Sequence, residues 1–236
     1  MLEGKELTKR FGGIAALSQV SFALPEGLIV GLIGPNGAGK TTLFNSIAGA
    51  FKPSSGQVIF KGKEITGLST DRICRRGIAR TFQVTRPFDE MTCLENVGVA
   101  VINRARPVSS PWRDAAYETL RFVGLGNQAD LEAKRLNLIE KKRLEMARAL
   151  ATEPSLLMLD EVLGGLNSRE IGEAVDLIRK LRDEWGLTVF WIEHVMGAIM
   201  STAQRIIVLD QGKKLMEGTP EEVAEDRRVI HAYLGE

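Results

Sequence analysis

The sequence is poor in the features that would place it in an oxidising compartment or inside a bilayer. It has only two cysteines among 236 residues, and the spacing of Cys74 and Cys93 fits neither a disulfide framework nor a metal site. Its longest apolar runs, LIVGLIG and LLML, are far shorter than the ~20 residues of a bilayer-spanning helix. The first residues, MLEGKELTKRF, carry charges and no apolar stretch, so we expect no signal peptide. These observations favour a reducing, aqueous compartment, with any membrane role depending on a partner.

The chain also lacks an excess of charge of either sign. Its 31 basic and 30 acidic residues leave a net charge of +1, so no overall field attracts nucleic acid or an anionic lipid surface. We therefore predict that nucleic acid is not a partner. The nearest approach to a basic patch is a group of arginines that we interpret as the solvated face of one helix: Arg72, Arg75, Arg76 and Arg80.

Apolar stretches of strand length alternate with helical stretches along much of the chain. Three of them are interpreted as buried strands: LIVGLIG at 28–34, PSLLMLDE at 154–161 and LTVFWIEH at 187–194. Helical patterns follow the first two, in TTLFNSIAGA and SREIGEAVDLIRKLRDEW. This alternation predicts an α/β fold built on a parallel sheet.

Two regions depart from this alternation. From about Lys5 to Leu24, short alternating segments predict antiparallel strands. From Pro87 to about Ala149 the pattern is helical, with breaks at Pro107 and Pro111. We therefore predict one domain over residues 1–236, with a core of 1–84 and 150–236 and an inserted helical subdomain of about 85–149.

The segment GPNGAGKTT, residues 34–42, carries the strongest chemical signal. It matches G-x-x-x-x-G-K-[ST] between a predicted strand and a predicted helix, which is the context that a phosphate-binding loop requires. The glycines let backbone N–H groups surround phosphates, and the helix N-terminus adds partial positive charge. A chance glycine-rich turn is the alternative. The candidate ATP-binding residues are Gly34, Pro35, Asn36, Gly37, Ala38, Gly39, Lys40, Thr41 and Thr42, with Lys40 on the β and γ phosphates and Thr41 on Mg²⁺.

The segment LLMLDE supplies the acidic groups that such a loop needs. Asp160 ends an apolar strand and is the candidate Mg²⁺ ligand, acting through the ion's water shell. The adjacent Glu161 is the candidate acceptor of a proton from the attacking water. Two solvated carboxylates at the end of a strand are the alternative interpretation.

With these motifs in this order, the chain resembles the ATPases of ABC transporters over nearly its whole length. The resemblance implies a P-loop NTPase fold of the ABC ATPase type. It also assigns Phe11 in KRFGG to stacking on adenine, unless Phe11 is simply a core residue. Gln83 in RTFQ corresponds to the glutamine that contacts Mg²⁺ or the attacking water, and His194 in WIEH corresponds to the histidine that senses the γ-phosphate. GGLN, at 164–167, is similar to the loop that crosses to a second subunit.

The finer resemblance is to the ATPases of branched-chain amino acid importers. It rests on five separate blocks: GPNGAGKTTLFNSIAG, GIARTFQ, EMTCLENV, RLEMARALA and GTPEEVAEDRRVIHAYLGE. It implies ATP and Mg²⁺ as cofactors, membrane permease subunits as partners and a peripheral position on the cytoplasmic face of the inner membrane. It also implies that the segment from Gln83 to Asn96 receives a short helix of the permease, using Arg86 and the apolar Phe88, Met91 and Leu94.

One motif departs from the family pattern. Residues 136–140 read LNLIE where the family signature reads LSGGQ, and in the family this loop contacts the γ-phosphate bound by a partner ATPase subunit. Asn137 and Glu140 still form a predicted capping box, but the serine hydroxyl and the clearance of two glycines are lost. Lys141 and Lys142 either replace the missing attraction or form a solvated face. We therefore favour a heterodimer with a second ATPase of intact signature, with a homodimer as the alternative.

Three other functions stay open from the sequence. The ATPase of a lipid or lipopolysaccharide exporter shares much of the pattern, although RTFQ favours an importer. A soluble ABC ATPase acting on DNA or ribosomes usually has coiled-coil insertions or two cassettes, and neither is present here. An ATP-binding switch without meaningful turnover is consistent with the altered signature.

Overall fold

The computed structural model describes residues 1–105 and 110–234. The predicted break at Pro107 lies outside these residues, and Pro111 immediately precedes a helix, as predicted. The strands are β1 (Leu2–Phe11), β2 (Ile14–Leu24), β3 (Ile29–Ile33), β4 (Ser55–Phe60), β5 (Lys63–Glu64), β6 (Ile78–Arg80), β7 (Leu156–Asp160), β8 (Thr188–Ile192), β9 (Arg205–Asp210) and β10 (Lys213–Gly218). The helices are α1 (Lys40–Ile47), α2 (Thr70–Arg75), α3 (Cys93–Asn103), α4 (Trp112–Phe122), α5 (Leu138–Leu150), α6 (Ser168–Trp185), α7 (Met196–Met200), α8 (Pro220–Glu225) and α9 (Arg227–Leu234).

The larger sheet has the order β10-β9-β3-β8-β7-β6. Its neighbouring strands are parallel from β6 to β9, and β10 runs antiparallel to β9. Strand β3 lies between β8 and β9, and every residue of β3, β7 and β8 is buried. The predicted parallel α/β core is therefore confirmed. Because the strands are parallel, the residues that follow β3, β7 and β8 all emerge at one edge of the sheet.

The smaller sheet is antiparallel, with the order β2-β1-β4-β5. Strands β1 and β2 form a hairpin in which Leu2 faces Leu24 and Phe11 faces Ile14. The predicted N-terminal antiparallel strands are thus confirmed, and β4 and β5 form a second antiparallel pair. This sheet packs its apolar residues with one face of the larger sheet, since Leu7, Val20 and Phe22 share a buried cluster with β3 residues Val30 and Leu32.

The sequence between β6 and β7 forms helices α3, α4 and α5, as its helical pattern predicts. Capping boxes start α3 at Thr92 and α5 at Asn137, where each side chain accepts the backbone N–H of a glutamate three residues on. Buried residues of these helices join the cluster on the other face of the larger sheet, which includes Ile29 and Ile33 of β3. The two faces of one short strand therefore serve two separate parts of the core.

The interpretation of four arginines as one solvated helical face is wrong for Arg80. Arg72 and Arg75 lie in α2 and Arg76 caps it, but Arg80 ends strand β6. The side chain of Arg80 is only 10 % exposed and forms an ion pair with Asp160. A glycine at position 77 with a φ of 96° ends the helix before the strand begins, and this reverses the direction of the side chains that follow.

Candidate nucleotide-binding site

The segment from Gly34 to Gly39 links the end of β3 to the start of α1. Gly34 has a φ of 151°, and a Cβ added there would lie 2.1 Å from the carbonyl oxygen of Leu209 in β9. Gly39 has a φ of 101°, and a Cβ there would lie 2.6 Å from the carbonyl oxygen of Ala16 in β2. Both positions therefore require glycine, and the loop is held between the two sheets. Its turn places the N-terminus of α1 at the carboxyl edge of the parallel sheet, which is the arrangement of a phosphate-binding loop.

Lys40 is the first residue of α1, and its amino group folds back over the loop. Its Nζ donates to the carbonyl oxygens of Gly34 at 2.7 Å and Pro35 at 3.0 Å, and the residue is 6 % exposed. Burial lowers the pKa of Lys40, while the nearby charges of Glu161 and Asp160 oppose this shift. The structure therefore brings the predicted loop lysine and the two predicted carboxylates into one electrostatic environment.

Asp160 ends β7, and a buried arginine holds its carboxylate. Arg80 Nη2 donates to Asp160 Oδ2 at 2.6 Å, and Arg80 Nη1 donates to Asn45 Oδ1 at 2.5 Å. Asn45 lies one turn after Thr41 on the same face of α1. Arg80 thus connects the strand that carries Asp160 to the helix that carries Thr41, and sequence reasoning did not assign it this role.

Glu161 receives a hydrogen bond on each carboxylate oxygen. Gln83 Nε2 donates to Oε2 at 2.6 Å, and His194 Nε2 lies 2.8 Å from Oε1. Because a carboxylate has no proton to give, Nε2 of His194 must be the donor in the second bond. Glu161 also has a φ of 50°, which is uncommon outside glycine and sets the direction of its side chain. The structure therefore brings together three residues that are separated in sequence and were each predicted to act in catalysis.

A buried charged residue, Glu193, supports this cluster and was missed from the sequence. Glu193 accepts the backbone N–H groups of Leu163 and His194, each at 3.1 Å, and burial raises its pKa. It therefore ties the loop after Glu161 to the end of β8. The only feature of the sequence that could have indicated this role is the position of Glu193, between an apolar strand and a predicted functional histidine.

Helix α5 contacts both sides of the same cluster. Lys142 Nζ donates to the carbonyl oxygen of Val162 at 3.0 Å, immediately after Glu161. Glu145 Oε1 accepts the backbone N–H of Phe82, immediately before Gln83. Burial lowers the pKa of Lys142 and raises that of Glu145. Lys142 therefore contacts the loop after Glu161 in its own chain and is not part of a solvated face.

The altered signature begins α5. The predicted capping box is present, with Asn137 Oδ1 accepting the N–H of Glu140 at 3.0 Å and Glu140 Oε2 accepting the N–H of Asn137 at 2.9 Å. Leu138 is 50 % exposed, and its Cδ2 lies 3.0 Å from the position of a Cβ added to Gly165. The N-terminus of α5 therefore exposes an apolar side chain, that of Leu138, next to the GGLN loop.

Phe11 lies at the end of β1 and is 49 % exposed. Its ring meets the ring of Phe51 edge to face at 5.3 Å, and Lys9 Nζ lies 5.1 Å from its centroid. It is therefore not a core residue. Its hairpin partner Ile14 is two residues from Ala16, which contacts the phosphate loop, so Phe11 stands on the element that flanks that loop.

The segment from Gln83 to Asn96 is divided between the surface and the core. Phe88 is exposed and Met91 is half-buried, but Leu94 is buried in the core, so the prediction that Leu94 faces a partner is wrong. Asn96 is fully buried and holds the preceding turn through the N–H and C=O of Phe88. The apolar surface instead extends to Phe82 and Val84, which are 58 % and 67 % exposed.

These elements define a P-loop nucleotide-binding protein: a glycine-rich loop after a buried strand, a buried lysine, and two carboxylates at the end of a neighbouring strand. Comparison with known proteins identifies the family. The family model described as ABC transporter matches residues 17–164, and a second model, Branched-chain amino acid ATP-binding cassette transporter, matches residues 213–236. The chain belongs to the ABC transporter family.

Similar proteins align over nearly the whole chain. The high-affinity branched-chain amino acid transport ATP-binding protein LivG of Salmonella typhimurium is 42 % identical over 98 % of this chain and 96 % of its own length. The corresponding BraF protein of Pseudomonas aeruginosa is 40 % identical, covering 100 % and 98 %. A solved nucleotide-free ATP-binding cassette of an ABC transporter superposes with a TM-score of 0.90 at 30 % identity, covering 100 % and 99 %. A dimeric cassette bound to ADP and Pi superposes with a TM-score of 0.83 at 30 % identity, covering 93 % and 99 %. The family assignment establishes the chain as an ATP-binding cassette with ATPase activity coupled to transport.

Proposed function

We propose that this chain hydrolyses ATP to power the import of branched-chain or related amino acids through separate membrane subunits. The observation that carries the proposal is the position of Glu161, which lies between Gln83 and His194 beside the phosphate loop. The amino-acid specificity is supported by the relatives described above and by the family model that matches the C-terminal residues.

In this proposal the phosphate loop, residues 34–42, binds the phosphates of ATP through its backbone N–H groups. Lys40, whose ammonium has three donors and lies over the loop, binds the β and γ phosphates with charge-assisted hydrogen bonds. Phe11 offers its exposed ring face to adenine.

The residues that surround the loop suit Mg²⁺. Thr41 offers a hydroxyl and Asp160 a carboxylate. Gln83 offers the carbonyl oxygen of its amide, because its amino group is occupied by Glu161. Three oxygen donors are too few to enclose a cation, and this matches an ion that keeps water and substrate phosphates as its other ligands. When bound, Mg²⁺ would neutralise charge that develops on the phosphates.

Glu161 is the proposed acceptor of the proton from the attacking water. Each of its oxygens accepts one hydrogen bond and retains a lone pair, so the carboxylate is oriented and still able to accept a proton. Gln83 and His194 fix its direction. The carboxylate therefore needs little reorganisation at the moment of reaction.

The proposed partners are integral membrane permease subunits and a second ATPase subunit. On the described residues, no helix is long and apolar enough to cross a bilayer. We propose that the chain sits on the cytoplasmic face of the inner membrane as a peripheral subunit. The permease would dock on Phe82, Val84 and Phe88, next to Gln83, so that the contact reaches the catalytic cluster directly.

The division of the chain supports this arrangement. We propose a single cassette domain over 1–236, in which the inserted helical subdomain of about 85–149 carries the altered signature and the docking surface lies where this subdomain joins the core. The core of 1–84 and 150–236 holds the nucleotide.

The test is transport of a labelled branched-chain amino acid into vesicles that contain the permease and this chain. The double variant Val84→Asp with Arg86→Glu should abolish transport while the chain still binds ATP. A matched control is Ile102→Asp, since Ile102 is a similarly exposed apolar residue at the far end of α3. Full transport by the double variant would place the docking surface elsewhere, and full transport of a lipid with none of amino acid would favour an exporter.

The altered signature favours a second candidate, an ATP-binding switch with slow turnover. Leu138 and Ile139 occupy positions where the family pattern has glycine, and Leu138 is already in contact with the Gly165 region of its own chain. ATPase activity measured with and without the permease separates the two candidates. Stimulation by the permease supports the importer, and ATP binding without turnover in both conditions supports the switch.

A further inference from the structure

The C-terminal helix reaches the phosphate loop through one side chain. The hydroxyl oxygen of Tyr233 in α9 accepts a hydrogen bond from the backbone N–H of Gly34 at 2.7 Å. The two residues are 199 positions apart in the sequence. Gly34 is the first residue of the loop, so a contact there sets the direction in which the chain leaves β3.

The path of the C-terminal segment is well anchored. Helix α8 begins with a capping box between Thr219 and Glu222 and has proline at its first position. Val223 is 1 % exposed and Val229 is 6 % exposed, and both join the core cluster. Val229 lies one turn before Tyr233 on the same face of α9, so its burial directs the tyrosine side chain towards β3.

The peptide groups of Gly34 are held by two side chains. Tyr233 accepts its N–H, while Lys40 Nζ donates to its carbonyl oxygen at 2.7 Å. The carbonyl oxygen of Leu209 packs against the Cα of Gly34, since a Cβ added there would lie only 2.1 Å from that oxygen. Gly34 therefore has little room to move towards β9. Burial raises the pKa of Tyr233, and the hydrogen bond from Gly34 opposes this shift, so the hydroxyl stays protonated near neutral pH.

The two restraints act on different groups of Gly34. The ammonium of Lys40 has three donors, so it can reach the phosphates of ATP whether or not it keeps the carbonyl oxygen of Gly34. Tyr233 approaches from the side of the N–H group, and its hydrogen bond does not depend on Lys40. Without that hydrogen bond the free loop has more conformations available, and binding of phosphate has to restrict them, which lowers the affinity.

We propose that Tyr233 is a positioning residue of the nucleotide site, and that the C-terminal helix is thereby part of that site. The proposal rests on the proposed role of residues 34–42 in binding ATP. In this role, Tyr233 in the C-terminal helix keeps the phosphate loop in the conformation that binds phosphates.

The test is the affinity of the full chain for a non-hydrolysable ATP analogue with Mg²⁺, measured by calorimetric titration. Tyr233→Phe keeps the ring and removes only the hydroxyl. Because the loop without this hydrogen bond must be ordered when the analogue binds, we expect the affinity to fall about three- to tenfold. The KM for ATP should rise by a similar factor with little change in kcat.

The chain provides a matched control, since Tyr117 in α4 is its only other tyrosine and is similarly exposed. Tyr117→Phe should bind the analogue like the unmodified protein. A second readout separates positioning from a purely structural role. The rise in melting temperature caused by the analogue should be smaller for Tyr233→Phe than for Tyr117→Phe, whereas a structural role would lower the melting temperature equally with and without analogue.

Lys40→Ala distinguishes failure of this inference from failure of the proposed function. If Lys40→Ala loses binding and Tyr233→Phe binds like the control, the loop binds ATP but Tyr233 does not position it. If Lys40→Ala binds normally, the phosphate loop is not the site and both proposals fall.

Discussion

At the scale of single residues, the catalytic cluster depends on side chains that hold Glu161 in one orientation. Gln83 and His194 approach it from different elements, and each occupies one carboxylate oxygen. Its unusual φ of 50° is maintained by the hydrogen bond from its own N–H to the carbonyl oxygen of Ile192 at 3.0 Å. The loss of either donor should therefore affect hydrolysis more than ATP binding.

His194→Ala tests this dependence. We expect the rate of ATP hydrolysis to fall about 100-fold, because one preorganised donor is lost from the site, while ATP affinity changes little. Steady-state kinetics together with a binding titration measures both quantities. The control is His231→Ala, since His231 is the only other histidine and is exposed. Equal activity of the two variants would remove His194 from the catalytic cluster.

Arg80 should contribute strongly to stability. Its ion pair with Asp160 is almost completely buried, and removing the arginine leaves a carboxylate without its partner. Breaking a buried pair in this way destabilises a protein by about 3–5 kcal/mol. Arg80→Ala should therefore lower the free energy of unfolding in urea by roughly 3 kcal/mol. The exposed Arg75 gives the control Arg75→Ala, which should change stability by less than about 0.5 kcal/mol.

The residue scale also shows what the sequence can and cannot predict about the site. Asp160, Glu161 and His194 follow the ends of parallel strands, and the shared direction of those strands is enough to bring them together. Arg80, Glu145 and Tyr233 reach the site only through the packing of separate elements. No local pattern in the sequence encodes those contacts, so they could not be predicted.

At the scale of secondary-structure elements, helix α5 joins the altered signature to the catalytic cluster. Its first turn carries Leu138 and Ile139, its second places Lys142 on Val162, and Glu145 accepts the N–H of Phe82. The helix that starts at the altered signature therefore contacts the residues next to both Glu161 and Gln83. The helical pattern predicted α5, and Asn137 with Glu140 predicted its capping box. Neither signal predicted that Lys142 and Glu145 turn inwards.

Glu145 should make stability depend on pH. Burial raises its pKa above the ordinary value of 4.5, and its Oε2 is among the buried atoms in the described residues that have no hydrogen-bond partner. A raised pKa in the folded state means that this group favours folding most below pH 4.5 and progressively less as the pH rises through the folded-state value. At neutral pH the buried charge is therefore destabilising.

Glu145→Gln removes the charge and keeps an oxygen that can accept the N–H of Phe82. Between pH 5 and pH 8 the variant should gain stability relative to the unmodified protein, as urea unfolding at each pH would measure. The same comparison for Glu184→Gln, an exposed glutamate of α6, should show no such trend. A constant difference between Glu145→Gln and the unmodified protein at every pH would show that Glu145 is not titrating in this range.

At the scale of the whole molecule, we propose that the chain presents one complete half-site and one altered half-site. In the complete half-site, the loop, the carboxylates, Gln83 and His194 would act on the nucleotide that this chain binds. Leu138 and Ile139 alter only the surface that it would offer to the nucleotide of a second subunit. The family includes cassettes solved as dimers, among them the one bound to ADP and Pi. We therefore favour a heterodimer in which the second ATPase has an intact signature.

The proposed asymmetry between the two ATPase sites is tested most directly by ATP turnover. The assembled transporter is measured with the proposed catalytic glutamate replaced in one ATPase subunit at a time. We predict that Glu161→Gln in this chain nearly stops turnover, because the site on its phosphate loop is proposed to carry most of the hydrolysis. The equivalent change in the second ATPase should have a much smaller effect, because that site receives the altered signature. Equal losses from the two variants, or brisk ATPase activity from this chain alone as a homodimer, would contradict the account.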